Sequence, residues 1–204
     1  ETQFTLKSLE FDFDVLNYVD VRKAKLENYD IVIVTDGSAR TIWTKLADKG
    51  QKKLLEFIKN GGTYFGFGEG GGYLVNYAKF LNARAYRTQW YGGYNNGIVM
   101  LDYDPTDPIA AYYPEESYAY AFFPVWFSEI GNGVERVASY NASENMFLAG
   151  WWPHNELARG YGAVIRGTYG EGNVILSGIE PTFRAHTEFT FRLVANAIFF
   201  AASE

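Results

Sequence analysis

Four consecutive β-branched residues, Ile31-Val32-Ile33-Val34, constrain this chain more than any other stretch. A strand with one wet face alternates apolar and polar side chains. An unbroken apolar run belongs to a strand covered on both faces, as in a parallel sheet flanked by helices. Asp36-Gly37-Ser38 ends the run as a turn. Thr44 to Asn60 reads as an amphipathic helix, with Leu46, Leu54, Leu55, Phe57 and Ile58 as its stripe and Gly61-Gly62 as its stop. Thr63 to Phe67 is the next strand, followed by the glycine-rich turn Gly68 to Gly72 and a helix from Tyr73 to Leu81. Repeated strand–helix units predict an α/β fold with a doubly wound, mostly parallel sheet. Upstream, Phe4 to Phe11 is expected to be a short helix and Asp12 to Val19 a strand.

The character changes between Arg84 and Pro153, where turns, aromatics and short strand-like stretches dominate. Residues 84–153 are expected to form an aromatic-rich, partly antiparallel insertion within a single domain spanning 1–204. Its strands read as Gly97 to Leu101, Val134 to Tyr140 and Met146 to Trp151. Ala163 to Arg166 and Asn173 to Ser177 are two further strands, and Thr187 to Ala202 is a closing helix.

Composition removes several function classes. The net charge of −6 provides no basic stripe for phosphate, so nucleic acid is not an expected partner. No apolar run is long enough to span a bilayer. Without cysteine there is no disulfide framework, thiolate metal site or cysteine nucleophile. Asn141-Ala142-Ser143 matches an N-glycosylation acceptor, a triplet that also arises by chance.

The glycine run admits three readings. Gly66-Phe67-Gly68-Glu69-Gly70-Gly71 fits the dinucleotide fingerprint, but it follows a later strand and no acid lies near Tyr91 to hold a ribose. It also fits a strand-to-helix elbow, which in α/β enzymes lifts a nucleophile above the sheet. The nucleophile position would be Gly68, which has no side chain. The third reading is a tight turn required by packing.

Other polar groups are weaker signals. His154 and His186 each precede a carboxylate by two residues, Glu156 and Glu188, yet a closed zinc site needs about four ligands and no histidine cluster exists. Asp102, Asp104 and Asp107 lack the spacing of a calcium loop, and Asp104-Pro105 and Asp107-Pro108 read as turn initiators. No metal site is expected in this chain. Trp90, Tyr91, Tyr94, Tyr112, Tyr113, Tyr118, Tyr120, Trp126, Trp151 and Trp152 make an aromatic-rich middle, of which more than half should be buried. Those left exposed, Trp126 among them, could stack on a sugar or peptide. Arg184 could bind an anion or pair with Glu180.

Two sets of motifs carry a family resemblance. Leu26 to Val34, Phe57 to Gly62 and Thr63 to Leu74 resemble the class I glutamine amidotransferase-like fold, a flavodoxin-like architecture. Catalytic relatives place a cysteine in the elbow and a His-Pro-Glu at the end of a late strand. The matching positions here are Gly68 and Glu180-Pro181-Thr182, so the triad positions read Gly68, Glu180 and Thr182. The resemblance therefore implies no catalytic residue, while Gly68, Glu69, Gly70, Glu180, Arg184 and Trp126 remain candidates for ligand binding. Glu69 and Glu180 could alternatively act as an acid–base pair in a residual hydrolase.

Asn96 to Val99, Asp102 to Pro108, Pro124 to Phe127, Gly150 to Pro153, Tyr169 to Val174, Pro181 to Arg184 and Asn196 to Phe199 resemble the C-terminal domain of secreted bacterial zinc carboxypeptidases of the carboxypeptidase A type. That resemblance implies an accessory role beside an upstream catalytic domain that holds the zinc, with no cofactor in this domain. It also implies a secreted or cell-surface location, a peptide or cell-surface polymer as partner, and a first strand that is missing or displaced.

Overall fold

A computed structural model describes residues 1–89 and 93–203. Helix α1 spans Thr2–Ser8 and the one-turn α2 spans Tyr18–Val21. Strand β1 (Ile31–Val34) leads into α3 (Ala39–Lys59), then β2 (Thr63–Phe67) and the four-residue α4 (Val75–Ala78). Strands β3 (Ala83–Arg87), β4 (Asn96–Tyr103), β5 (Glu116–Phe122), β6 (Val125–Ile130), β7 (Val134–Tyr140) and β8 (Phe147–Trp151) follow. Strands β9 (Gly162–Tyr169) and β10 (Gly172–Ser177) precede the closing helix α5 (Phe191–Ser203).

Among the described residues, the ten strands belong to one sheet, whose main path runs β1-β2-β10-β9-β7-β4-β5. Pairing is parallel at β1–β2 and β2–β10, with Ile31 opposite Thr63 and Asn173 opposite Thr63 on its other side. From β10–β9 onward every described pair is antiparallel. The sheet is thus mixed, with its parallel part confined to the three strands that carry the elbow.

Side-chain alternation sorts the core onto two faces. Phe65, Phe67 and Ile175 point to the face covered by α1 and α5, with Leu6, Leu193, Val194 and Ala197. Tyr64, Val174 and Leu176 point to the opposite face, where Leu46, Leu54, Phe57 and Ile58 of α3 pack. Both faces of the parallel part are covered, which is why its strands read as continuous apolar runs.

Several local expectations are corrected. Residues 12–19 contain no strand; Phe11 and Phe13 pack on the core from an irregular segment, and Asn17 caps α2 through the Val19 and Asp20 amides. The helix after the glycine turn is only Val75–Ala78, because Lys79 enters the left-handed region (φ 55°) and ends it. Helix α5 starts at Phe191, since the Thr190 hydroxyl donates to Pro181 O (2.6 Å) and holds residues 183–190 in short turns. Helix α3 begins at Ala39 and breaks at Ala47 (φ 50°, ψ 172°). The Arg22 guanidinium donates to the freed carbonyls of Lys45 and Leu46, and the Gln51 amide donates to Trp43 O.

Candidate functional site

The site forms where the parallel strands end, the edge at which open α/β sheets bind ligands. Residue 68 turns the chain out of β2 at φ 54°. Its amide donates to Ser177 O at the end of β10 (2.9 Å). The elbow geometry is therefore present. The space into which a side chain at position 68 would project is already filled: a Cβ there would lie 2.6 Å from Asp36 Oδ1. The next glycines are pressed against protein backbone. A Cβ at Gly70 would meet Thr35 O at 2.3 Å, and one at Gly71 would meet Val34 O at 2.1 Å. Packing against β1 explains the run, with no need of a phosphate.

Asp36 follows β1 and reaches across to the elbow, where its Oδ1 accepts from the Gly70 amide (3.1 Å). Burial raises its carboxyl above the ordinary value; the Gly37 and Gly70 amides oppose the rise, and Glu1 adds to it. Glu180 stands three residues beyond β10 and is 5% exposed. Its Oε1 accepts from the Thr182 hydroxyl (2.6 Å), and the Thr182 oxygen lies 3.0 Å from the Thr2 hydroxyl on α1. With its own proton on Glu180, Thr182 accepts from Thr2. Glu180 Oε2 is buried without a hydrogen-bond partner. Burial pushes this carboxyl up to about 7; the Thr182 hydroxyl and the nearby Asp36 backbone amide oppose the rise, and the Asp36 and Glu1 carboxylates add to it.

Asp36 and Glu180 open on a cavity of about 970 Å³, bounded by α1, residues 11–16, the free side of β1, Phe122, Phe183 and Ile198. That volume lies at the top of the roughly 300–1,000 Å³ range typical of small-ligand sites.

The residues singled out in the sequence separate into two groups. Gly68, Gly70, Glu180 and Thr182 meet at this site. Glu69 turns away: its carboxylate pairs with Arg87, whose guanidinium lies 5.2 Å from the Tyr73 ring centroid. The acids that act on Glu180 are Asp36 and, more weakly, Glu1. Sequence reading treats Asp36 as a turn residue and misses it. The available signal is its place one residue past a buried parallel strand.

Two expectations are corrected outright. Arg184 does not pair with Glu180; its side chain is 70% exposed and its Nε lies 3.9 Å from Glu1 Oε1. The reason is backbone reversal, since Arg184 and Ala185 both sit in the left-handed region (φ 49° and 53°). Trp126 is not an exposed platform but 7% exposed core, between Tyr86 and Trp152 at 6.4 and 6.5 Å. The aromatic middle is also less buried than expected. Tyr113, Trp126 and Trp152 are buried, whereas Tyr94, Tyr112, Tyr118 and Trp151 are exposed. Trp90 and Tyr91 lie outside the described residues.

The remaining polar candidates are absorbed by the fold. Asp104 Oδ1 accepts from the Thr106 amide, and Asp107 caps a turn through the Ile109 amide (2.9 Å) while pairing with Arg166. Asn141 donates to Asp102 (2.6 Å). His186 stacks on Phe183 and packs at a tilt against Tyr120, and His154 lies 3.3 Å from Glu156. Among the described residues no group of three or more His, Asp or Glu side chains is arranged to hold a metal ion.

No protein-family model and no curated protein matches the chain. Solved structures do. A ThuA-like protein from Bacteroides uniformis superposes over 100% of this chain and 83% of its own, with TM-score 0.66 and 17% identity. PurLQS from Thermotoga maritima matches 98% of this chain and 91% of its own (TM-score 0.68, 12% identity). A glutamine amidotransferase matches 98% and 92% (TM-score 0.64, 18% identity). The elbow, the strand order around it and these likenesses together give the chain a class I glutamine amidotransferase-like fold.

Proposed function

We propose that this chain is a non-catalytic binding domain that keeps the elbow pocket of its fold without the nucleophile. The observation that carries the reading is the Asp36 carboxylate lying where a side chain at position 68 would stand. An elbow closed in this way has no atom to attack an acyl carbon. The pocket beside it stays open, so a ligand can bind without being transformed. The motifs between Asn96 and Phe199 support placing the domain beside the zinc-binding catalytic domain of a secreted carboxypeptidase. The zinc then lies outside this chain.

The test is an assay of the purified chain for glutaminase, amidase and carboxypeptidase turnover. None is expected. Turnover abolished by Asp36→Asn or Glu180→Gln would overturn the reading. For the parentage, the residues encoded upstream of Glu1 should contain a His-x-x-Glu pair and a later histidine; their absence there would refute it.

One observation favours a second reading, a residual hydrolase. A buried carboxyl that titrates near 7 is suited to proton transfer at neutral pH, and Glu180 has that property with Asp36 beside it. In this version Asp36 replaces Glu69 as the partner acid. The same turnover assay separates the two readings.

A further inference from the structure

The pocket has a feature that a small-molecule site does not need: one wall is an open strand edge. Strand β1 ends the main path of the sheet and pairs with β2 alone among the described strands. The Thr63 amide donates to Asp30 O (3.1 Å), and Ile31 stands opposite Thr63. Backbone groups alternate sides along a strand, so the even-numbered residues of β1 serve β2. The N–H and C=O groups of Ile31 and Ile33 face the other way. These two residues and Thr35 line the cavity. Residues 11–16 run alongside, but no backbone hydrogen bond joins them to β1 among the described residues.

The charge of the groove is one-sided. Glu1, Asp12, Asp14, Asp30, Asp36 and Glu180 line it, with no Lys or Arg among its described lining residues. Arg184 offsets only Glu1, from an exposed position. Glu180, 5% exposed and lining this groove, keeps one carboxylate oxygen with no hydrogen-bond partner. A buried acceptor of that kind costs stability unless a donor reaches it. Phe183, Phe122 and Ile198 add apolar wall against which the methylenes of a long cationic side chain can lie.

We infer that this groove takes an extended peptide strand carrying lysine or arginine, paired backbone to backbone with the open edge of β1 and presenting basic side chains to Asp36 and Glu180. Strand addition supplies affinity from the main chain, and the carboxylates supply selectivity for the side chains. The inference rests on the domain being a binding domain, and it names the ligand class.

The test uses fluorescence anisotropy with the folded chain and a short synthetic peptide alternating valine and lysine. Two copies serve as controls, one with glutamine for lysine and one methylated at every backbone nitrogen. Both changes are in the probe, so the folding of the chain is untouched. Each copy should bind about tenfold more weakly or worse, as should the parent peptide to Asp36→Asn/Glu180→Gln. Added salt should weaken the parent peptide further.

Equal binding of the glutamine copy would reduce the groove to an unselective strand-pairing edge and overturn the inference. So would indifference to N-methylation, absence of any binding, or a homodimer that covers β1 and resists the peptide. Cleavage of the bound peptide would instead overturn the non-catalytic reading and leave the cation recognition standing.

Discussion

The carboxylate of Asp36 and the missing side chain of Gly68 occupy one space: a Cβ on Gly68 would sit 2.6 Å from Asp36 Oδ1. Gly68→Ala therefore meets two penalties, the left-handed backbone at φ 54° and this overlap. Together they should lower the unfolding free energy by about 2–3 kcal/mol. Asp36→Ala removes the overlap but not the backbone strain. In urea unfolding, the double variant should therefore lose less than the sum of the two single variants. Strict additivity would show that the two groups do not share the space.

Stability should fall as pH rises through the range set by Glu180. Unfolded, this carboxyl titrates near 4.5; folded, it titrates at about 7. Between these values the folded state holds a proton that the unfolded state has released, so unfolding becomes easier with rising pH. The loss reaches up to about 3 kcal/mol and levels off above pH 7. Asp36, also raised by burial, adds a contribution of the same sign. Glu180→Gln should flatten this slope in denaturant titrations run between pH 4.5 and 8, and an unchanged slope would assign it elsewhere.

The break in α3 predicts a pair of opposite effects. Arg22 satisfies the carbonyls of Lys45 and Leu46 that the break releases. Arg22→Ala should cost about 1–2 kcal/mol by leaving them unpaired. Ala47 holds a backbone conformation suited to glycine, so Ala47→Gly should gain about 1 kcal/mol. Thermal melts of both single variants check the signs.

Asp107 is the most buried partner of any described ion pair, tied to Arg166 and to the Ile109 amide. Asp107→Asn should lower stability by about 2–3 kcal/mol, discounted from the full cost of breaking a buried pair because Arg166 reaches water. The change should appear in the urea midpoint with an unaltered slope.

The parallel part of the sheet was legible because burial on both faces forces runs such as Ile31–Val34, and a strand with one wet face does not produce them. The antiparallel strands were legible only as fragments. Their two faces meet different surroundings, and β4, read as Gly97 to Leu101, extends to Asn96–Tyr103. Residues 12–19 misled for a physical reason. The alternation of Phe13 and Val15 is also what an unpaired segment shows when a ring such as Phe13 lies on a core. Within the site, Glu180 could be placed because the resemblance fixes the end of a late strand. Asp36 could not, because Asp-Gly-Ser is an ordinary turn in any sequence. Its role depends on the distance to Gly68, which only the fold sets. Arg184 failed on the same ground, since two consecutive left-handed residues cannot be read from Arg-Ala.

Strand β10 lies against β2 in register, with Asn173 opposite Thr63, although most of the chain separates them. Asp36 and the elbow come from one end of that separation, and Glu180 and Thr182 from the other. Contacts so distant in sequence form late, because the loop between them must close before they repay its entropy. A nascent or truncated chain can therefore complete α3 and still have no pocket. An intact pocket is in effect a proofreading mark, carried only by molecules whose last strand has docked.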